Sequence, residues 1–326
     1  MDFSKRIGKF KKSAGFSLED YFVWCGTMTR GDDGIYYMYF SFWEKTLGFD
    51  AWVTHSKIGY AYSSDPFGEM TYGGIALDGR GFGWDADCVH NPSVIKHDGK
   101  YYLYYMGNYG NGEYWNNRNH QRVGVAVADS PRGPFRRFDE PVIDVSPVGH
   151  DSLMTSNPSV TPAPDGKFYM IYKAVENNGK LPKGGAVVCG IAVADSPVGP
   201  FVKSPNPIMV NPEHEWSVED AFIWYENDRF YSLAKDFQGY FTKAGRKHVA
   251  LFESPDAFDW KLSDHPIGYL RGLETEDGER IALSNMERPQ IYVENGKPMA
   301  LLCACMLEED YAELRDSFNV RLPLSE

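Results

Sequence analysis

The chain of 326 residues has no apolar run near the ~18 residues that a membrane-spanning helix needs. Positive charge is also short. Against 45 Asp and Glu stand 33 Lys and Arg, a net charge of −12, and so acidic a surface repels phosphate backbones; nucleic acid and membrane are both excluded as partners. The opening Met1-Asp2-Phe3-Ser4-Lys5-Arg6 is charged and holds no apolar signal core, so a cytoplasmic location is expected. Cysteine is sparse, and the five (Cys25, Cys88, Cys189, Cys303, Cys305) make neither a disulfide framework nor a metal-ligand spacing. What abounds is aromatic side chains (15%), glycine (32) and proline (20). That mixture suits many short strands joined by turns.

Two signatures recur. Ser64-Asp65-Pro66-Phe67-Gly68 returns as Asp129-Ser130-Pro131-Arg132-Gly133-Pro134-Phe135, as Asp195-Ser196-Pro197-Val198-Gly199-Pro200-Phe201 and, degraded, as Glu253-Ser254-Pro255, a period of about 65 residues. A hairpin signature accompanies it: Asp33-Gly34, Asp98-Gly99, Asp165-Gly166, Asn227-Asp228 and Asn295-Gly296, each before an apolar strand. Such pairs turn a hairpin because both central residues take positive φ. Third strands follow at Ile58–Ala61, Val123–Val127, Gly190–Val193 and His248–Phe252. Four strands per unit, five times over, predict an all-β, five-bladed β-propeller. It is read as a single domain over 1–326, with blades starting near 20, 90, 156, 219 and 286. Two β-sandwiches could carry the same hairpins, but not a constant period.

The first strand of each propeller blade lines the axis, so residues entering those strands converge. Glu-Asp-x-Phe-(Val/Ile)-Trp occurs at 19–24 and at 219–224, and Asn-Pro-Ser-Val at 91–94 and 157–160. Asp20, Glu219, Asp220 and Glu287 thus stand at the heads of repeat units, near Trp24, Trp84 and Trp224. Crowded carboxylates suit glycosidic cleavage, in which one carboxylic acid protonates the leaving oxygen and a second carboxylate activates water or attacks. Plainer roles compete. Strand-head Asp caps turns, repeated Trp fills cores, Arg288 can simply pair with Glu287, and His90 is open between core residue, metal ligand and proton donor.

Trp24-Cys25-Gly26, Asp85 with His90-Asn91-Pro92, Ser156-Asn157-Pro158, Glu219-Asp220-x-Phe222-Ile223-Trp224 and Glu287-Arg288-Pro289 together resemble the five-bladed propeller glycoside hydrolases, closest to families 43 and 117. The resemblance covers about residues 17–305. Family 43 implies an inverting reaction with an Asp base on blade one, a pKa-tuning Asp on blade three and a Glu acid on blade four. Matched here, the acid falls on Glu219 or Asp220, the tuning Asp on Asn157, and the base near Cys25 unless Asp20 supplies it. Family 117 implies an Asp base that could match Asp20, a blade-four Asp at Asp220, and a His acid where Asn285 stands; Glu287, Glu219 or His90 would then serve.

The expectation is therefore an exo-acting glycoside hydrolase removing a terminal sugar from an oligosaccharide, with Asp20 as base, Asp220 orienting, and Glu219 or Glu287 as acid. Trp24, Trp84, Asp85, His90, Asn91, Asn157, Lys173, Lys235 and Arg288 would hold the sugar. No cofactor is required and no spacing demands a metal, although the axial carboxylates leave room for a divalent cation. The rivals are a phosphorylase, using Lys173, Lys235, Arg288 and His90 for phosphate, and a non-catalytic carbohydrate-binding propeller. The segments 107–121 and 177–185 read as loops that shape specificity at the channel mouth.

Overall fold

The computed structural model describes residues 1–307 and 317–325. Strands gather into five four-stranded antiparallel sheets, with one two-stranded ribbon besides. Each sheet begins with a first strand, Tyr21–Arg30, Cys88–His97, Met154–Pro162, Val218–Glu226 or Leu283–Glu294. These five strands touch one another in a closed ring, which is the hub of a five-bladed propeller. Four blades take their outer strand from the residues that follow. The fifth takes it from the amino terminus, where Gly15–Phe16 pairs with Ser317–Pro323. That pairing covers the outer edge of Ser317–Pro323 with a strand from the amino-terminal segment.

The sequence signatures meet in space. Tyr39, on the second strand of blade one, donates to the carbonyl of Pro131 in the blade-two turn at 2.6 Å, and Tyr104 of blade two does the same to Pro197 of blade three at 2.6 Å. The hairpin tyrosine and the Ser-Pro turn are thus two halves of one inter-blade joint. The hairpins themselves differ from the expectation in part. Both central residues have positive φ at Asp98-Gly99, Asn227-Asp228 and Asn295-Gly296. At Asp33-Gly34 and Asp165-Gly166 only the glycine does. There the Asp side chain turns back onto the loop, accepting from the N–H of Ile35 and of Lys167, which makes a longer turn.

All five first strands bulge at one place. Their pairing with the second strand skips between Trp24 and Thr27, His90 and Ser93, Ser156 and Ser159, Glu219 and Phe222, and Glu287 and Gln290. The residue inside the skip is left-handed in every blade: Cys25 (φ 56°), Asn91 (53°), Asn157 (49°), Asp220 (57°) and Arg288 (53°). Such a backbone costs about 1–3 kcal/mol for a side chain other than glycine and persists only where its surroundings over-determine it. Here buried acceptors from neighbouring strands supply that constraint. The N–H of Gly26 donates to Asn319 Oδ1 (2.9 Å), that of Asn91 to Ser41 Oγ (3.0 Å) and that of Ile223 to Ser159 Oγ (3.0 Å). A bulge re-aims its side chain, and five of them aim five side chains at one axis. Among the described residues no helix is long and apolar enough to cross a membrane.

Candidate active site

The five bulge residues form a chain of contacts around the axis. The Cys25 thiol donates to Asn91 Oδ1 at 2.7 Å, Asn91 Nδ2 to Asn157 Oδ1 at 2.5 Å, and Asn157 Nδ2 to Asp220 Oδ1 at 2.7 Å. Arg288 Nη1 faces the same Asp220 oxygen at 3.6 Å. Above them opens a cavity of about 130 Å³. Its polar floor holds Asn91, Asn157, Lys173, Glu219, Asp220, Lys235, Glu287 and Arg288, and its wall is Trp24, Trp43, Phe49, Trp52 and His90.

Charge is concentrated on blades four and five. Lys235 Nζ lies 2.8 Å from Glu219 Oε2, 3.4 Å from Asp220 Oδ2 and 3.3 Å from Glu287 Oε2. Lys173 pairs with the other Glu219 oxygen. Burial disfavours the Glu219 carboxylate, but the two ammonium groups outweigh it and hold its pKa well below the usual range. Asp220 goes the other way. Burial raises its pKa, Glu219 and Glu287 push it further, and Lys235 and Arg288 only partly compensate. Its Oδ1 is engaged by Asn157 and its Oδ2 faces Lys235 Nζ at 3.4 Å. Two adjacent carboxyls are thus driven apart in acidity, the pattern of a proton donor beside a fixed anion. Lys235 is held protonated despite burial by its three carboxylates.

The opposite half of the cavity is neutral. Burial pushes the Cys25 thiol up and the His90 imidazole down, so neither is charged. His90 Nδ1 shares a 2.7 Å hydrogen bond with Ser56 Oγ, and its ring lies between Trp43 (5.6 Å) and Trp52 (5.1 Å). Trp24 meets Phe49 edge to face at 5.3 Å. Aromatic faces of this kind pack on the C–H surfaces of a sugar ring.

Ten of the thirteen residues expected from sequence converge here: Glu219, Asp220, Glu287, Trp24, His90, Asn91, Asn157, Lys173, Lys235 and Arg288. Three do not. Asp20 is exposed and lines a different surface hollow with His55, Lys57 and Tyr72. Its motif echoes that of Asp220 in letters, not in register: Asp220 is itself the bulge residue of blade four, whereas the blade-one bulge falls at Cys25. Asp20 therefore cannot share a ligand with Asp220. Trp84 stacks on Tyr105 at 5.5 Å between blades one and two, where a Cβ on Gly124 would lie 2.3 Å from its ring. Asp85 is fully buried against Arg80, Arg137 and the Tyr105 hydroxyl. Both hold blades together and neither faces the cavity. Not expected from the sequence are Trp43, near the end of the second strand of blade one (Tyr36–Glu44), and Phe49 and Trp52 from the insertion that follows that strand; Cys25 entered only as part of the resemblance and not as lining the site. The alignment of Cys25 with Asn91, Asn157, Asp220 and Arg288 was the signal available for it. Among the described residues no three His, Cys, Asp or Glu side chains are grouped to hold a metal ion.

Comparisons with known proteins agree with this architecture. No family model matches the chain. A stretch of 110 residues is 34% identical to a xylosidase/arabinosidase from Humicola insolens, covering 34% of this chain and 29% of that protein; the chain thus matches less than a third of that relative's length. A family 117 glycoside hydrolase from the marine bacterium Zobellia galactanivorans superposes over 98% of this chain and 91% of its own, with a TM-score of 0.65 at 20% identity. A family 43 β-xylosidase/α-arabinofuranosidase from a compost metagenome, solved with xylotriose, covers 97% and 94%, with a TM-score of 0.62 at 17% identity. The resemblance to the five-bladed propeller glycoside hydrolases holds at the level of the fold.

Proposed function

We propose that this protein is an exo-acting glycoside hydrolase that removes one terminal sugar from an oligosaccharide. Asp220 acts as the proton donor, and Glu287 activates water or attacks the anomeric carbon. The observation that carries this is a single ammonium, Lys235 Nζ, standing within 3.5 Å of both carboxyl groups in an aromatic-walled cavity. Two carboxyls flanking a sugar, one with its pKa raised by burial, are what glycosidic cleavage requires. The cavity, about 130 Å³, is smaller than the ~300–1,000 Å³ usual for ligand pockets. It suits a single monosaccharide unit, hence the terminal one. Glu219, pinned by two lysines, is a fixed anion that favours the developing positive charge on the sugar. Asn91 and Asn157 supply hydroxyl contacts, while Trp24, Trp43 and Trp52 supply the apolar wall. Lys173 and Lys235 already compensate the carboxylates, so the reading takes no cofactor.

Turnover of a panel of aryl glycosides and short plant or algal oligosaccharides tests it. Asp220→Asn and Glu287→Gln should each lower kcat/KM by roughly 10²–10⁴-fold, and the Asp220 variant should be rescued by substrates with good leaving groups. Undiminished turnover in both variants would overturn the assignment. Binding by calorimetry with no product from any substrate would make this a carbohydrate-binding propeller. The second reading is phosphorolysis, favoured by Arg288, which is buried with no hydrogen-bond partner for its guanidinium among the described residues. Turnover that requires inorganic phosphate would establish it.

A further inference from the structure

Beside the hub cavity lies a second hollow, of about 290 Å³, lined by Trp115, Arg118, Lys180, Lys183, Glu215 and Trp216 among others. Its walls come from the two segments that flank the channel mouth and from the chain leading into the first strand of blade four. Two aromatic ladders connect it to the hub. On one side Trp52, which lines the hub cavity, meets Tyr114 at 6.1 Å, and Tyr114 meets Trp115 at 5.3 Å. On the other, Lys235 lies 4.9 Å from the Phe237 ring, and Phe237 meets Trp216 edge to face at 4.9 Å. Arg118 is close enough to sense the Glu219 carboxylate.

The charge of this hollow runs against that of the molecule. Three cations line it against one acid, Glu215, in a chain of net charge −12. No carboxylate pairs with Lys180 or Lys183 among the described residues, and both side chains are exposed. Arg118 is buried, its guanidinium 5.6 Å from the Trp115 ring and donating to Asn119 Oδ1 and the Lys183 carbonyl. Trp216 remains 39% exposed, an open aromatic face next to free ammonium groups. Aromatic faces beside cations bind a sugar ring that bears a negative charge.

We infer that this hollow is a binding subsite for an anionic oligosaccharide, one whose sugars carry carboxylate or sulfate. It receives the part of the substrate that extends beyond the terminal unit. This rests on the exo-glycosidase reading for the position of the terminal sugar, although the hollow would bind the anionic chain whether or not a bond is then cleaved. Two features set its specificity. Trp115 and Trp216 supply stacking faces for a saccharide, and Lys180 and Lys183 favour the charged sugars over neutral ones of equal length.

Calorimetry on the full chain with three trisaccharides decides the matter: trigalacturonate, a sulfated galactotriose and neutral xylotriose. One or both of the charged trimers should bind at least about ten-fold tighter than xylotriose at low salt, and the preference should shrink as salt rises. Which of the two binds tighter identifies the acidic group. In Lys180→Ala/Lys183→Ala the preference for that charged trimer over xylotriose should fall by about ten-fold, and Trp216→Ala should weaken all binding. Equal affinity for charged and neutral trimers, or a preference untouched by loss of both lysines, overturns the inference. A retained charge preference without hydrolysis of any glycoside would sink the enzymatic reading alone. Hydrolysis without charge preference would sink the subsite alone.

Discussion

Blades one to three and blades four and five share one backbone device and put different chemistry on it. At the same left-handed bulge, the first three carry Cys25, Asn91 and Asn157, all neutral, while the last two carry Asp220 and Arg288. The preceding residues divide in the same way, with Trp24, His90 and Ser156 against Glu219 and Glu287. The bulge therefore belongs to the repeat and serves the fold, converging side chains on the axis whatever they are. Charge is confined to one half of the hub, where Lys235 gathers three carboxylates. The other half is a neutral amide and aromatic surface. On the proposed reading, a sugar bound between them would meet acid–base groups on one face and packing on the other.

The sharpest way to break this contrast is to remove the cation that permits it. Lys235 is 5% exposed, and Lys235→Met would leave Glu219, Asp220 and Glu287 crowded without their shared partner. Breaking a buried ion cluster by deleting one member costs about 3–5 kcal/mol. Urea unfolding should show a loss of that size near neutral pH, recovering in part as the pH falls and the carboxylates protonate. A loss under about 1 kcal/mol would mean that the three acids are already neutral or solvated.

The second prediction separates the two adjacent acids by pH. Glu219 has a folded pKa depressed below its ordinary 4.5 by Lys173 and Lys235. Its stabilising contribution is therefore complete above pH 4.5 and is lost as pH falls toward the depressed value. Asp220 has a raised pKa, so its contribution is present below its ordinary 3.8 and is lost as pH rises through the folded value. Glu219→Gln should flatten the acid side of the stability curve, and Asp220→Asn the side above it. Identical curves for the two variants would show that the acids titrate as one unit.

The fold was legible because its signals are local and repeated at nearly constant spacing: a hairpin pair five times, and a Ser-Pro turn and a β-branched third strand four times each. Even the inter-blade joint was visible as two motifs, though not as a contact. The closing strand at Gly15–Phe16 was not, since two residues carry no pattern. The site was legible where motif and bulge coincide, at Asn91, Asn157, Asp220 and Arg288. It misled where letters repeat out of register, at Asp20, because the position of a bulge depends on the pairing of two strands and not on either alone. Phe49 and Trp52 come from an insertion outside the repeat, so no periodicity could point to them, while Trp43 lies on the second strand of blade one, away from the first-strand heads that carry the motifs. Trp84 and Asp85 sit beside the axial residues in sequence, yet their surroundings, Gly107 and Gly124 on one side and Arg80 and Arg137 on the other, are set by tertiary packing.

A smaller effect tests whether the repeat joints are equivalent around the ring. Tyr104→Phe removes one hydroxyl from the Pro197 carbonyl, a buried neutral hydrogen bond worth about 1 kcal/mol. Tyr39→Phe removes its counterpart at Pro131. Additive losses in the double variant, read by thermal or urea unfolding, would show independent joints. A larger combined loss would show that blades two and three lock cooperatively.

The smallest change falls on the neutral half of the hub. Cys25→Ser keeps a donor of similar reach for Asn91 Oδ1, so the chain through Asn91 and Asn157 to Asp220 stays intact. Stability should move by less than about 1 kcal/mol, and turnover should stay within a few-fold, since a neutral thiol pushed up by burial takes no part in proton transfer. Cys25→Val, which fills the same space without a donor, should cost more, about 1–3 kcal/mol, because Asn91 Oδ1 would be left unsatisfied. If the serine variant instead abolished turnover while remaining folded, Cys25 would be reacting with substrate, and the division between a charged half and a neutral half of the hub would fail at blade one.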